Sequence, residues 1–79
     1  MAVYPNPTKG KLTILINNLD EDANFIINDT KGSLIYSDYI SGEKTQFEKQ
    51  IDLSRYSTGL YFVRLYSAEE YLVKKVMVQ

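Results

Sequence analysis

Carboxylates are the only abundant groups in this chain that could support acid–base or metal chemistry. The 79 residues include ten Asp and Glu but no His and no Cys. Ser-His-Asp and Cys-His nucleophiles are therefore excluded, as are zinc sites built on those ligands. The densest acidic group is Asp20, Glu21 and Asp22. We interpret it as a solvated loop, with a weak calcium site as the alternative, because the D-x-D-x-D-G spacing of a dedicated calcium loop is missing.

Seven tyrosines form the second group with possible chemistry, since aromatic rings on a sheet face can stack on sugars. Most of them alternate within apolar runs, which favours core or rim packing with the hydroxyl reaching water. A carbohydrate-binding platform remains the alternative. No glycine-rich phosphate cradle is present. These residues together predict a non-catalytic module without a cofactor.

Length and charge narrow the class further. Seventy-nine residues, 44% of them hydrophobic, are enough for one domain with one modest core. A net charge of −1 lacks the positive footprint of nucleic-acid or membrane-surface binding, so neither partner is expected. No apolar run has the length of a membrane-spanning helix, and membrane insertion is not expected. Met1 directly precedes a turn-like segment, which suggests an expression start before a piece of a longer protein.

The residue types favour an all-β fold. Alanine, the best helix former, occurs three times, whereas Val, Ile, Tyr, Phe and Thr together number 27. The four glycines lie at the edges of apolar runs, where turns are expected. We predict a small antiparallel Greek-key, immunoglobulin-like β-sandwich of six to seven strands over residues 1–79. Six strands are predicted at residues 12–17, 23–28, 33–40, 45–51, 60–66 and 71–78.

Period-two alternation indicates which side chains are buried. The first predicted strand places Leu12, Ile14 and Ile16 on one face. The strongest, LYFVRLY at 60–66, places Tyr61, Val63 and Leu65 on one face. Leu15 and Phe62 are predicted to face outward. Leu53 and Tyr56 are expected to share one side of a helical turn that closes the end of the core.

The stretch VYPNPTKGKL at 3–12 places two prolines around one asparagine. Proline fixes its own φ and biases the preceding residue toward extended conformations. Pro5, Asn6 and Pro7 are therefore predicted to form a stiff, extended step that cannot be a central strand. Gly10 would then permit a turn into Leu12. We predict that the fold begins at this segment.

Four stretches, in this order and spacing, are similar to a known family. They are VYPNPTKGKLTI at 3–14, INDTKGSLIY at 27–36, IDLSRYSTGLYFVRL at 51–65 and KKVMVQ at 74–79. Together they resemble the type A C-terminal sorting domain of the type IX (Por) secretion system, over essentially the whole chain. The most specific part is YPNP-x-x-G-x-L-x-I, followed by L-x-x-Y-x-x-G-x-Y-x-V and a terminal lysine-rich strand.

The resemblance implies a function that composition does not show. Such domains are small β-sandwiches at the C-terminus of large exported proteins, and they act as non-catalytic secretion signals. Their partners would be type IX translocon or shuttle components, a covalently attached upstream cargo, and a sortase-like peptidase that removes the domain. The protein would pass through the periplasm to the outer membrane, the cell surface or the medium.

The resemblance assigns the family's motif positions to three groups of residues in this chain. The N-terminal group comprises Tyr4, Pro5, Asn6, Pro7, Gly10, Leu12 and Ile14. The turn group is Asp29 and Gly32. The candidate recognition segment comprises Gly59, Tyr61, Val63, Lys74 and Lys75.

The last hairpin, about residues 60–78, is expected to dock by strand addition at an open edge. The same edge could pair two copies as a strand-swapped homodimer in vitro. Another interpretation of Lys74 and Lys75 is that their charge discourages unwanted pairing at an edge strand. The alternative function is a β-sandwich binding module, an adhesin or carbohydrate-binding domain, that stays on the mature protein.

Overall fold

The structure is a computed structural model that describes residues 1–19, 21–42 and 46–79. Its described part contains seven β-strands. They are β1 (Ala2–Tyr4), β2 (Lys11–Asn17), β3 (Ala23–Asp29), β4 (Leu34–Ile40), β5 (Gln46–Asp52), β6 (Gly59–Ser67) and β7 (Tyr71–Val78). The predicted all-β class and the strand number are confirmed.

The strands form two antiparallel sheets, in the orders β1-β2-β5 and β4-β3-β6-β7. The chain changes sheet between β2 and β3, between β4 and β5, and again between β5 and β6. This connectivity is that of an immunoglobulin-like sandwich whose fourth strand has joined the sheet of the third, sixth and seventh strands. Strands β1, β4, β5 and β7 are left as sheet edges.

The core lies between the two sheets and follows the period-two alternation. Leu12, Ile14 and Ile16 of β2 are buried, as predicted, against the other sheet. Tyr61, Val63 and Leu65 of β6 and Val76 and Val78 of β7 are also buried. Phe25 occupies the centre, with its ring centroid 5.5 Å from Tyr36 and 5.7 Å from Phe47. One aromatic cluster therefore joins β3, β4 and β5 across the sandwich.

The predicted pairing of Leu53 with Tyr56 is half wrong. The Tyr56 backbone N–H donates to the Leu53 carbonyl oxygen at 3.0 Å, so the turn is present. Leu53 is buried, but Tyr56 is 45% exposed. A single turn points only one of the two side chains at the core, and Leu53 alone closes it.

The N-terminal region also differs from expectation. Strand β1, which was not predicted, pairs with β2 through Val3 and Ile14. Residues 5–7 form consecutive bends, and both bonds that precede a proline are cis. The proline step is therefore bent rather than extended, although it does stay out of the sheets as predicted.

Two predicted features fall partly outside the described residues. These are the turn at 41–44 and the start of the fourth strand at Thr45. In the part of the chain that the structure describes, no helix is long and apolar enough to cross a membrane.

Candidate recognition surface

The last hairpin, β6 with β7, forms one edge of the four-stranded sheet. The two strands pair from Gly59 with Val78 to Tyr66 with Tyr71. Residues 67–70 close the hairpin, where the Ser67 backbone N–H donates to the Glu70 carbonyl oxygen at 2.9 Å. Because β7 pairs with β6 on one side only, its second row of backbone groups faces away from the sheet.

Asn6 and Thr8 cap the C-terminal half of this outer row. The Asn6 amide donates to the Lys75 carbonyl oxygen at 2.9 Å, and its Oδ1 accepts the Met77 backbone N–H at 3.0 Å. The Thr8 backbone N–H donates to the Met77 carbonyl oxygen at 2.9 Å, and its carbonyl oxygen accepts the Gln79 N–H at 2.8 Å. The Asn6 side chain thus bonds to the outward backbone groups of Lys75 and Met77, as the backbone of a neighbouring strand would.

The N-terminal half of the same row is open. Strand alternation turns the backbone N–H and C=O of Tyr71 and Val73 to the same side as those of Met77. Among the residues that the structure describes, none bonds to these outward groups of Tyr71 and Val73. Both side chains are also exposed, at 53% and 40%. We call the outward backbone groups of Tyr71 and Val73 the open edge.

Thr8 holds the loop that leads from the prolines into β2. It is 2% exposed, and its hydroxyl donates to the Lys11 carbonyl oxygen and accepts the Gly10 N–H at 3.1 Å. The Gly10 carbonyl oxygen in turn accepts the Leu53 N–H at 2.8 Å. Thr8 was missed from sequence; its only signal was a hydroxyl two residues before a glycine, a spacing that suits a local side-chain turn.

Replacing Thr8 by valine should destabilise the domain by about 1–3 kcal/mol, because the isosteric side chain leaves a buried N–H and C=O without a partner. The measurement is the midpoint of urea unfolding followed by circular dichroism. Thr8→Ser keeps the hydroxyl and is the matched control, with a loss of about 1 kcal/mol for one methyl group. Equal midpoints for Thr8→Val and the wild type would show that the hydroxyl contributes nothing to stability.

The turn group lies at the opposite end of the sheet from the β6–β7 turn. The Gly32 N–H donates to the Asp29 carbonyl oxygen at 3.1 Å, and Asp29 Oδ1 accepts the N–H groups of Lys31 and Ser33, both at 2.9 Å. Gly32 has φ of 85°, a left-handed conformation that favours glycine. Asp29 and Gly32 thus build the β3–β4 connection, and their contacts are internal to the turn.

Tyr61 has a structural role in the candidate recognition segment. Its ring is buried in the core, and its hydroxyl donates to the Ser57 carbonyl oxygen at 2.6 Å. A tyrosine near the start of the sixth strand that bonds backwards in this way is the tyrosine corner of immunoglobulin-like sandwiches. Burial, with a smaller effect of the Asp29 charge, raises the pKa of Tyr61 above its ordinary value.

The other members of that segment divide between core and surface. Val63 is fully buried, and Gly59, with φ of 141°, begins β6. Lys74 and Lys75 are exposed on opposite faces of β7, as their adjacent positions require. Only Lys75 lies near the N-terminal group, through its carbonyl oxygen and Asn6. The structure therefore joins the proline segment to β7 and leaves the turn group apart.

Within the N-terminal group, Asn6 and Gly10 make the specific contacts. Leu12 and Ile14 are core residues, whereas Tyr4, Pro5 and Pro7 are exposed. Gly10 is buried against Ser54 with φ of 142°. The Ser54 hydroxyl and N–H hold the pKa of the neighbouring Asp52 below its ordinary value.

The tyrosines do not form one platform. Four are exposed, and they lie apart on β1, β4, the 53–58 loop and β7: Tyr4, Tyr39, Tyr56 and Tyr71. Tyr66 and Tyr71 form a tilted pair with centroids 5.1 Å apart. Tyr39 lies on the same sheet face as this pair but is separated from Tyr66 by Asn24 of β3. Two rings in contact are a small surface for sugar stacking, so the geometry does not favour the carbohydrate alternative.

The acidic loop is described only in part, because Asp20 lies outside the described residues. The Gly42 N–H, together with the Tyr39 hydroxyl, holds the pKa of Asp22 below its ordinary value. Glu21 instead accepts the Glu69 N–H at 3.2 Å. Over residues 1–19, 21–42 and 46–79, no three Asp or Glu side chains are grouped to hold a metal ion.

The outward-facing side chains predicted on β2 and β6, Leu15 and Phe62, are half-buried. The Arg64 guanidinium carbon lies 5.3 Å from the centroid of the Phe62 ring, which it partly covers. Phe62 is therefore packed on the outer face of its sheet. Arg64 was missed from sequence because a lone basic residue in an apolar strand carries no local signal.

The family model for the secretion system C-terminal sorting domain, Por_Secre_tail, matches residues 2–79. No curated protein matches the chain.

Proposed function

Because the chain belongs to the family of secretion system C-terminal sorting domains, we propose that it acts as a folded export signal of type A. The domain is a sorting domain of type IX secretion cargo, and the family is non-catalytic. In our proposal it directs a larger upstream protein through the outer-membrane machinery. A translocon or shuttle component reads the β6–β7 hairpin rather than a linear peptide.

The open edge is the observation that supports recognition of the β6–β7 hairpin by a partner protein. Tyr71 and Val73 present unpaired backbone donors and acceptors beside exposed apolar side chains. An extended segment of the partner can add to β7 there and complete the hydrogen-bond ladder. Asn6 and Thr8 limit this addition to the N-terminal half of the strand, which fixes where the partner segment must lie.

The later steps of the proposal follow the family resemblance. A sortase-like peptidase removes the domain after transit through the periplasm and exchanges it for a cell-surface anchor. The cargo then stays at the outer membrane or is released. The junction with the upstream protein would lie before β1, which is an edge strand of the three-stranded sheet.

Replacing Val73 by proline tests whether the partner recognises the domain by strand addition at the open edge. In a host with a type IX secretion system, a reporter fused to residues 2–79 is expected outside the cell. The amount of reporter retained in the periplasm should be at least about tenfold higher for the Val73→Pro fusion. Proline removes the N–H that faces the open edge, and the bonds between β6 and β7 do not use that group. The readout is reporter in the medium and on the cell surface against reporter in the periplasm.

Val73→Thr is the matched control, because it changes the side chain and keeps the N–H. It should be exported like the wild type. Circular dichroism and urea unfolding of the purified domains confirm that both variants fold. Export of a folded Val73→Pro variant at the wild-type level would refute strand addition, and failure of the wild-type fusion itself to be exported would refute the export signal.

A further inference from the structure

One face of the four-stranded sheet is mostly apolar, exposed or half-buried, and its strand residues include no Asp or Glu. We define it as the outer face. From the strand registers its members are Asn24, Ile26 and Asn28 of β3, Leu34, Ser37 and Tyr39 of β4, Leu60, Phe62, Arg64 and Tyr66 of β6, and Tyr71, Val73, Lys75 and Met77 of β7. Nine of these are aromatic or aliphatic. The only charged members are Arg64 and Lys75, although the chain as a whole carries a net charge of −1.

Arg64 is a half-buried cation with no carboxylate partner among the residues that the structure describes. Over the described residues, its polar contact is one hydrogen bond from Nη1 to the Tyr71 hydroxyl at 3.2 Å. Its Nε is buried and has no hydrogen-bond partner. The Phe62 ring lies beneath the guanidinium. The half-buried guanidinium has five N–H donors, and one hydrogen bond leaves donors free for an anion from another molecule.

Arg64 lies one strand in from the open edge. It pairs with Val73 across β6 and β7, and its guanidinium lies over Phe62 of its own strand while donating to the hydroxyl of Tyr71 on β7. A strand added to β7 would have its own residue opposite Val73, about 10 Å from the Arg64 backbone, which is two strand spacings. A glutamate or aspartate and an arginine can together bridge that distance over the intervening valine.

Resting on the proposed function, we propose that the strand added at the open edge carries an acidic side chain on the outer face, held by Arg64 and flanked by apolar residues. Lys75 adds a second positive charge one residue pair further along the same face. Arg64 supplies a planar fork that suits a carboxylate. A protein strand is favoured over an anionic lipid or glycan because only a peptide also satisfies the backbone groups of Tyr71 and Val73.

Charge variants of the full 2–79 fusion test the inference. Arg64→Glu should lower export by about tenfold or more, because it turns attraction into repulsion. Arg64→Lys keeps the charge but loses the fork, and it should lie between Arg64→Glu and the wild type. Arg64→Met keeps the apolar stem over Phe62 and shows whether the charge itself is needed. Urea unfolding of each purified variant separates loss of recognition from loss of fold.

The identity of the partner is tested by placing a photocrosslinking amino acid at Val73. The expected product is a peptide of an export component with an Asp or Glu within two residues of the cross-link. Replacing that acid by Lys should restore export of the Arg64→Glu fusion. A lipid or glycan product, a peptide without an acid, or absence of rescue would overturn the inference.

The inference and the proposed function can fail separately. If Val73→Pro blocks export while folded Arg64→Glu is exported normally, strand addition stands and the acidic partner is wrong. If folded Val73→Pro is exported normally, strand addition at the open edge is wrong whatever the Arg64 variants do.

Discussion

Replacing Gly10 by alanine is expected to destabilise the domain by roughly 2–6 kcal/mol, from a strained backbone and an overpacked contact together. A Cβ at position 10 would lie 2.7 Å from the Ser54 Cβ and 2.9 Å from the Ser54 Cα. The φ of 142° is also one that side-chain-bearing residues rarely adopt. Ser54 belongs to the turn that buries Leu53, so it cannot move away freely. Urea unfolding gives the loss directly.

Gly59 offers a matched control for this change. Its φ of 141° is nearly the same as that of Gly10, yet no atom lies within 4 Å of the position that its Cβ would take. Gly59→Ala should therefore show the backbone strain alone, about 1–3 kcal/mol. The difference between the two variants measures the close approach to Ser54. Equal losses would mean that the Ser54 contact has no energetic weight.

Replacing Phe25 by alanine should strongly destabilise the domain and lower export in proportion to the unfolded fraction. Phe25 is fully buried, and its ring packs on Tyr36 and Phe47. Such a truncation costs about 3–5 kcal/mol. A domain of this length has a total stability of roughly 4–12 kcal/mol, so the truncation removes from about a quarter to all of it. Phe25 is not one of the family-pattern positions, and its replacement leaves every one of them unchanged in sequence.

This variant separates recognition of a fold from recognition of a linear motif. Phe25→Leu is the control, since a smaller change in volume should leave a folded domain that is exported. Export is measured with the reporter fusion, and folding by near-ultraviolet circular dichroism of the purified domain. Normal export of an unfolded Phe25→Ala variant would show that the machinery reads the sequence and would contradict a folded signal.

Alternation along β2 and β6 was sufficient to predict the core. Leu12, Ile14, Tyr61 and Val63 are buried as expected, because inward and outward positions of a strand differ by one residue and are read locally. Strand β1 was beyond this reasoning, since three residues ending at a proline are too few to show a period. Its pairing comes from β2, where Ile14, the partner of Val3, lies eleven residues later.

The recognition surface was less predictable than the core. The last hairpin was expected from the clear apolar alternation of its strands. The division of the outer edge of β7 into a capped half and an open half was not expected. Which backbone groups of β7 stay open depends on where Asn6 and Thr8 lie in space, and no local pattern encodes this. That Arg64 faces no carboxylate from its own sheet is likewise a property of the whole outer face, because it requires that no Asp or Glu occupy an outward position on any of the four strands.

The cap that Asn6 and Thr8 place on β7 also bears on the rate and order of folding. Asn6 and Met77 are 71 residues apart, so their bond closes nearly the longest loop that this chain can form. Contacts of such sequence separation slow folding toward the millisecond-to-second range typical of all-β domains. We expect the cap to close last, after the two sheets have packed. Until then the outer edge of β7 is unpaired along its full length. A chaperone that binds strand edges would therefore find a longer binding site on the incompletely folded chain than on the folded domain.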